Sequence, residues 1–298
     1  MSKPHPLLIS VSSAPHIEKR IAAIEALPPL REVISDHGLS AQKSLGQNFL
    51  LDQNITDKIL REALNASPND FVQTTVFEIG PGPGGLTRSI LKTNAPKVIA
   101  LEFDERAVKA LQSLKDAANS DLEVIRIDAL QTDLTELSDA PRAIVANLPY
   151  NIATPLLLNW LRQIRTDKNT YQSMSLMFQK EVADRILAKP ETKAYGRLSI
   201  ISQWLCRVSN IYDLPPSAFV PPPKVNSAVV HFLPKDLPDD APDFAVVEKI
   251  TAAAFNQRRK MIRSSLKEYM PIIEALGIDP TKRAENLSVE DYLAIAKF

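Results

Sequence analysis

Two short stretches carry residue types and spacings that could do chemistry. Residues 146–151 read ANLPYN and follow the apolar run Arg142–Val145, which reads as a strand buried on both faces. A turn accounts for Asn147 and Pro149 on conformational grounds; it gives no reason for the ring of Tyr150 beside them. Residues 77–87 read FEIGPGPGGLT, so Gly80, Gly82 and Gly85 form a G-x-G-x-x-G between an apparent strand and an apparent helix. Glycines there let the backbone turn tightly and approach a ligand closely. Glu102 ends the next strand 20 residues after Gly82 and can accept hydrogen bonds from two ribose hydroxyls. Asp128 closes the following strand in RIDAL, where its carboxylate can accept from an adenine amino group or cap the next turn.

A nicotinamide dinucleotide and S-adenosyl-L-methionine both suit that geometry. A pyrophosphate needs backbone N–H groups at a helix N-terminus, and Pro81 and Pro83 remove two of them from the loop. Glu78, just before the loop, adds negative charge where a pyrophosphate would be repelled. S-adenosylmethionine has no phosphate and carries a cationic sulfonium, so the acidic rim favours it as cofactor.

That choice explains the residues at 147–150. Methyl transfer is an in-line displacement at the sulfonium carbon, and the acceptor must lie close and aligned. The exocyclic amine of adenine is a poor nucleophile because its lone pair is delocalised into the ring. Two acceptors, the Asn147 side-chain oxygen and a backbone carbonyl near Pro149, can bind its two N–H groups and pull the nitrogen toward tetrahedral geometry. Tyr150 can stack on the base, a contact worth roughly 1–3 kcal/mol. The alkylated amine is strongly acidic, so no general base is required, in keeping with a motif that has neither histidine nor lysine.

The elements that must position these groups follow from the pattern. TTVFEIG, KVIALEF, LEVIRID, RAIVANLP and SMSLMFQ read as apolar strands, alternating with helices at GGLTRSILK, ERAVKALQSLKDAAN, TPLLLNWLRQI and KEVADRILAK. Alternation of this kind gives a parallel sheet covered on both faces, an α/β Rossmann-like fold. SAVVHF reads as an edge strand. Beyond the acidic, proline-rich PKDLPDDAPD the pattern is all helical. Residues 1–40 are therefore expected to be a partly mobile N-terminal extension, with a helix in PLREVISDHG, 41–236 the Rossmann-like domain, and 237–298 a small all-helical C-terminal domain.

Bulk composition excludes several classes. Hydrophobic residues make up 45%, which rules out a disordered chain, and 35 basic residues balance 35 acidic ones, so any nucleic-acid surface must be local. The single cysteine, Cys206, sits in an apolar stretch and suits a reducing compartment. His5, His16, His37 and His231 lack metal-ligand spacing, so no metal is expected. No run of about 18 apolar residues exists, PLLISV is short for a signal peptide, and Glu18 and Glu25 argue against a transit peptide. A cytoplasmic protein without a membrane partner is expected.

NLPY, with SLGQNFLLD at 44–52 and EIGPGPGGLT, resembles the ribosomal RNA adenine N6,N6-dimethyltransferase family, a group of class I S-adenosylmethionine-dependent methyltransferases. The resemblance is greatest to the bacterial members that dimethylate two adjacent adenosines near the 3′ end of 16S rRNA. It runs from about Lys43 to the C-terminus. It implies cofactor contacts from Asn48, Leu50, Gly80, Glu102, Asp128 and Asn147, and a second base-stacking ring from Phe219 in SAFVPPP. It further implies 16S rRNA in the small ribosomal subunit as partner; a monomer is expected, although the sequence does not give the oligomeric state.

FNQRRKMIRSSLK concentrates Arg258, Arg259, Lys260, Arg263 and Lys267, with Arg259, Arg263 and Lys267 four apart on one face if the segment is helical. Beside an RNA-modifying fold this reads as a phosphate-contacting stripe; taken alone it is a solvated face. Arg185, Lys189, Lys193 and Arg197 form a second set expected to flank the target-base entrance. Two other functions fit the motifs: a 23S-type adenine methyltransferase, and a non-enzymatic ribosome-assembly or transcription factor on the same fold. The tail LGIDPTKRAENLSVEDYLAIAKF resembles the 16S branch, and an intact NLPY with Glu102 argues against loss of catalysis.

Overall fold

The computed structural model describes residues 15–39, 47–68, 70–139 and 141–298. In chain order the elements begin with α1 (Pro15–Glu25), α2 (Leu30–Asp36), β1 (Phe49–Leu50), α3 (Gln53–Ala66), β2 (Thr75–Ile79), α4 (Gly85–Leu91) and β3 (Lys97–Glu102). Next come α5 (Glu105–Ala110), α6 (Gln112–Ala118), β4 (Leu122–Arg126), β5 (Arg142–Asn147), α7 (Ala153–Thr166), β6 (Ser173–Gln179) and α8 (Lys180–Leu187). The chain continues through α9 (Arg197–Leu205), β7 (Cys206–Leu214), β8 (Phe219–Val220) and β9 (Ser227–Pro234). It closes with α10 (Phe244–Asn256), α11 (Ile262–Ser265), α12 (Met270–Ala275) and α13 (Val289–Ala296).

Seven strands form one sheet in the order β4-β3-β2-β5-β6-β9-β7, and β1 pairs with β8 in a second, two-stranded sheet. The pairs β4–β3, β3–β2, β2–β5 and β5–β6 are parallel. Their central members, β2, β3, β5 and β6, are buried along almost their whole length, as strands covered on both faces must be. SAVVHF is not an edge: β9 lies between β6 and β7. The edge is β7, whose polar residues Arg207, Asn210 and Asp213 can meet water.

The chain divides into two compact units. The first runs to Leu158 and adds Asn169–Lys180 and Asn210–His231; the second comprises Asn159–Lys168, Glu181–Ser209 and Phe232–Phe298. The first unit's core joins sheet residues such as Val76, Val98 and Val145 to Ile59 and Leu60 of α3 and Ile90 of α4. The second is built on aromatic rings. Trp204 stacks on Phe244 with centroids 6.2 Å apart, and Phe255 meets Tyr195 at 6.4 Å and Tyr292 at 6.1 Å. The second unit therefore draws on residues well before 236. Within it α9 packs against α10 and α13, so the second unit takes in residues on both sides of PKDLPDDAPD.

The expected mobile N-terminal extension is also corrected for the residues described. Within the first unit, α1 places Ile24 in the core, and buried Arg20 donates to the carbonyls of Ala95 (3.1 Å) and Thr93 (2.7 Å) and pairs with Asp121 at 2.6 Å. A buried guanidinium needs such partners. All three lie more than 70 residues away in sequence. Helix α2 follows Pro29 and is followed by Gly38 at φ +57°, as its sequence signals predict.

Candidate active site

In the first unit, one cavity collects nearly all the expected residues: Asn48, Leu50, Gly80, Gly82, Glu102, Asp128, Asn147, Pro149 and Tyr150 line it, together with Glu78. The parallel sheet explains the convergence. Glu78, Glu102 and Asn147 stand at or near the C-terminal ends of neighbouring parallel strands, and Asp128 follows the fourth.

The segment 47–50 braces the glycine loop. A Cβ on Gly82 would stand 2.8 Å from the Phe49 ring, and one on Gly85 would stand 2.2 Å from the Leu50 carbonyl oxygen. A side chain at Gly85 would run into main chain, and one at Gly82, where φ is +55°, would have to push the Phe49 ring aside. Gln53 completes the contact by donating from Nε2 to the Gly85 carbonyl at 2.8 Å. Residues 44–46 of the SLGQNFLLD motif lie outside the described residues.

The carboxylates divide their work. Glu102, 5% exposed, accepts from Gly82 N at 3.1 Å and from Asp104 N at 2.8 Å, so it shapes the loop as well as lining the cavity. Burial raises its pKa, opposed by those backbone donors. A carboxylate has about four acceptor sites, so these donors leave acceptor capacity for a ligand hydroxyl. Asp128 both caps and lines: its Oδ1 accepts from Leu130 N at 2.9 Å. Glu78 is 1% exposed, and its Oε2 has no hydrogen-bond partner among the described residues. Burial pushes its carboxyl up to about 8, with the Glu102 charge adding to the shift. Burial thus favours the protonated form of Glu78 at neutral pH, in place of the fixed negative charge read from the sequence. A buried acid that can ionise beside a cation, close to Glu102, gains charge pairing from a positive ligand and none from a pyrophosphate. It fits the sulfonium and ammonium groups of S-adenosylmethionine.

At the end of β5, Asn147 Nδ2 donates to the Asn48 carbonyl at 3.0 Å. Its Oδ1 accepts nothing among the described residues, so the acceptor end of the amide is the one available to a ligand. Tyr150 is half-buried and its hydroxyl meets Ser227 Oγ at 2.7 Å, which fixes the ring's orientation. Burial raises the phenol's pKa and keeps it neutral.

Phe219 stands apart from this group. It is 2% exposed, pairs in register with Leu50 through β8 and belongs to the first unit's hydrophobic core. The base-stacking role that the resemblance implies for Phe219 would require the ring to leave this packing. The cavity also holds residues that the sequence did not single out, Gln47, Phe49 and Phe103, the last 64% exposed. Position next to Glu102 and inside QNFL was the only available signal for the last two. Nothing in the sequence links Ser227 to Tyr150.

The basic stripe is rearranged. Helix α10 ends at Asn256, the chain turns through 257–260, and α11 spans only Ile262–Ser265. Arg259, Arg263 and Lys267 therefore do not share one helical face. Buried Ile262 and Leu266 and the bridge between Met261 and Arg283 hold the segment in this form. Arg259, Lys260, Arg263 and Lys267 are exposed and form no ion pair among the described residues. Arg258 is instead paired with Glu285 at 2.8 Å. In the second set, Arg185 pairs with Glu181 and Arg197 lies 3.9 Å from Glu248, while Lys189 and Lys193 are exposed. Among the described residues no cluster of His, Cys, Asp or Glu could hold a metal ion, and no helix is long and apolar enough to cross a membrane.

The sequence model described as "Ribosomal RNA adenine dimethylase" matches residues 38–298. "Ribosomal RNA small subunit methyltransferase A" of Ruegeria sp. (strain TM1040) is 51% identical over 284 residues, covering 93% of this chain and 98% of the relative. The protein of the same name from Rhodospirillum rubrum is 50% identical over 276 residues, covering 92% and 93%. Among solved structures, a dimethyladenosine transferase from Plasmodium falciparum is similar with a TM-score of 0.67 at 27% identity, covering 82% of this chain and 94% of that one. The 23S rRNA methyltransferase ErmE, at a TM-score of 0.61 and 23% identity over 83% and 98% of the two chains, shares the fold. A site suited to S-adenosylmethionine and a family match from residue 38 to the C-terminus lead to one conclusion: this chain belongs to the ribosomal RNA adenine dimethylase family.

Proposed function

We propose that the protein dimethylates N6 of two adjacent adenosines near the 3′ end of 16S rRNA during small-subunit biogenesis, as a monomer in the cytoplasm. The observation that carries this reading is the half-committed amide of Asn147, held by Asn48 on one side and open on the other. Half-identity to relatives named for the small subunit supports the choice of RNA.

S-adenosylmethionine supplies, when bound, an electrophilic methyl group on a sulfonium. The chain's own residues do the rest. Glu102 accepts from the ribose hydroxyls and Asp128 from the cofactor's adenine amine, while Glu78 answers the positive charge. The Asn147 oxygen and a carbonyl near Pro149 accept from the target amine and localise its lone pair. Tyr150, with its hydroxyl held by Ser227, stacks on the target base. Asn48 and Leu50 close the cavity wall. In the second unit, Arg259, Lys260, Arg263 and Lys267 contact RNA phosphates.

Incubation with labelled S-adenosylmethionine and, separately, unmethylated small and large subunits tests the reading. Label should appear as N6,N6-dimethyladenosine in 16S rRNA. Label confined to 23S rRNA overturns the substrate, and no label on either subunit overturns the enzymatic reading.

A further inference from the structure

Arg258 differs from its basic neighbours. In the second unit its Nε donates to Glu285 Oε2 at 2.8 Å, and its Nη2 donates to the carbonyl of Lys193. The main chain of Glu285 is engaged as well, accepting from Glu191 N at 2.7 Å. Glu191 has φ +69°, a conformation that a non-glycine residue keeps only where its surroundings hold it. On the other side, Ile262 N donates to the Lys282 carbonyl at 2.8 Å, and Met261 bridges Arg283. Three segments distant in sequence, 189–193, 258–262 and 282–285, are thus tied at one place. They carry Lys189, Lys193, Arg259, Lys260, Lys282 and Arg283, all exposed and without an ion pair among the described residues.

We propose that Arg258 and Glu285 form a clamp that sets the spacing of these cations into one surface for an RNA phosphodiester backbone. Arg258 is then a positioning residue and not a phosphate contact, and Glu285, although acidic, favours RNA binding. The proposal rests on the reading that the second unit binds RNA. Its physical basis is preorganisation: phosphates are spaced regularly, and cations already held at matching positions lose less freedom on binding than cations on a loose loop.

The clamp makes a prediction opposite in sign to simple electrostatics. Glu285→Gln removes a negative charge near a basic surface, and charge alone would then tighten RNA binding. Arg258→Lys keeps the charge but loses the planar fork that reaches Glu285 and the Lys193 carbonyl together. Binding of the full chain to unmethylated small subunits is measured across a range of salt, well below each variant's melting temperature. Lys193→Ala and Arg259→Ala should each weaken binding and lower the log–log salt slope by about 0.7–0.9. Glu285→Gln and Arg258→Lys should each weaken binding by roughly threefold or more, and the double variant should be no worse than either single, as for residues acting as a unit. If Lys193→Ala and Arg259→Ala weaken binding while Glu285→Gln tightens it or leaves it unchanged, the clamp is wrong and the surface stands. If Lys193→Ala and Arg259→Ala have no effect, the RNA surface and the clamp fall together.

Discussion

The side-chain amide of Asn147 donates to the main-chain carbonyl of Asn48 at 3.0 Å, joining the end of β5 to a residue 99 positions earlier. This bond settles which end of the amide is which, because the oxygen would meet another oxygen if the group were turned over. One contact thereby holds the cavity wall and presents an acceptor.

Asn147→Ala removes that acceptor and the tie to Asn48. Transfer should fall by at least 100-fold, because the lost interaction is strongest in the transition state. Cofactor affinity should fall only a few-fold. Single-turnover transfer and calorimetry measure the two; near-normal transfer would remove Asn147 from the mechanism.

Glu102→Ala strips a partner from Gly82 N and Asp104 N as well as the proposed ribose acceptor. Each buried donor left unpaired costs about 1–3 kcal/mol. Cofactor affinity should drop at least tenfold, and the melting temperature should drop with it. A variant of unchanged stability would show that the loop does not depend on this carboxylate.

Glu78 should give the protein a pH dependence of definite sign. A carboxyl raised from 4.5 to about 8 on folding binds its proton more tightly in the folded chain. Its stabilising contribution is full below about 4.5 and is lost progressively as pH rises to about 8. Glu78→Gln cannot ionise, so without cofactor it should melt increasingly above the wild type between pH 5 and 8. Cofactor binding to the wild type near pH 7 should also release a proton, read as a buffer-dependent binding enthalpy. Parallel melting curves for the two proteins across that range would contradict the assignment.

Gly85→Ala places a methyl group 2.2 Å from the Leu50 carbonyl oxygen. Forcing that contact should cost about 1–3 kcal/mol and displace the wall that carries Asn48. Thermal unfolding and cofactor titration should both register the change, and retention of wild-type values in both would show that the 47–50 segment yields freely.

Phe219→Ala distinguishes a core ring from a stacking ring. From its position in the first unit's core, the loss should be about 3–5 kcal/mol of stability. A variant that melts like the wild type but fails to bind substrate would support the stacking role.

The local order of strands and helices was legible because a strand buried on both faces must be apolar throughout, and a glycine loop announces close backbone approach. Glu102, Asp128 and Asn147 could be placed at one end of the sheet by topology alone, since parallel strands bring their C-terminal ends together. What needed the tertiary structure was every property that depends on distant neighbours. Glu78 reads as a charge in the sequence, and only burial beside Glu102 makes it a neutral acid at pH 7. Phe219 is an aromatic ring in a proline-rich loop until its pairing with Leu50 shows it buried. The same holds for Arg20, whose carbonyl partners follow α4, and for Arg258, which looks like one more surface cation until Glu285 and Lys193 meet it. Spacing of four residues told nothing of the break after Asn256, because buried Ile262 and Leu266 and the bridge to Arg283, not local propensity, set the chain's path there.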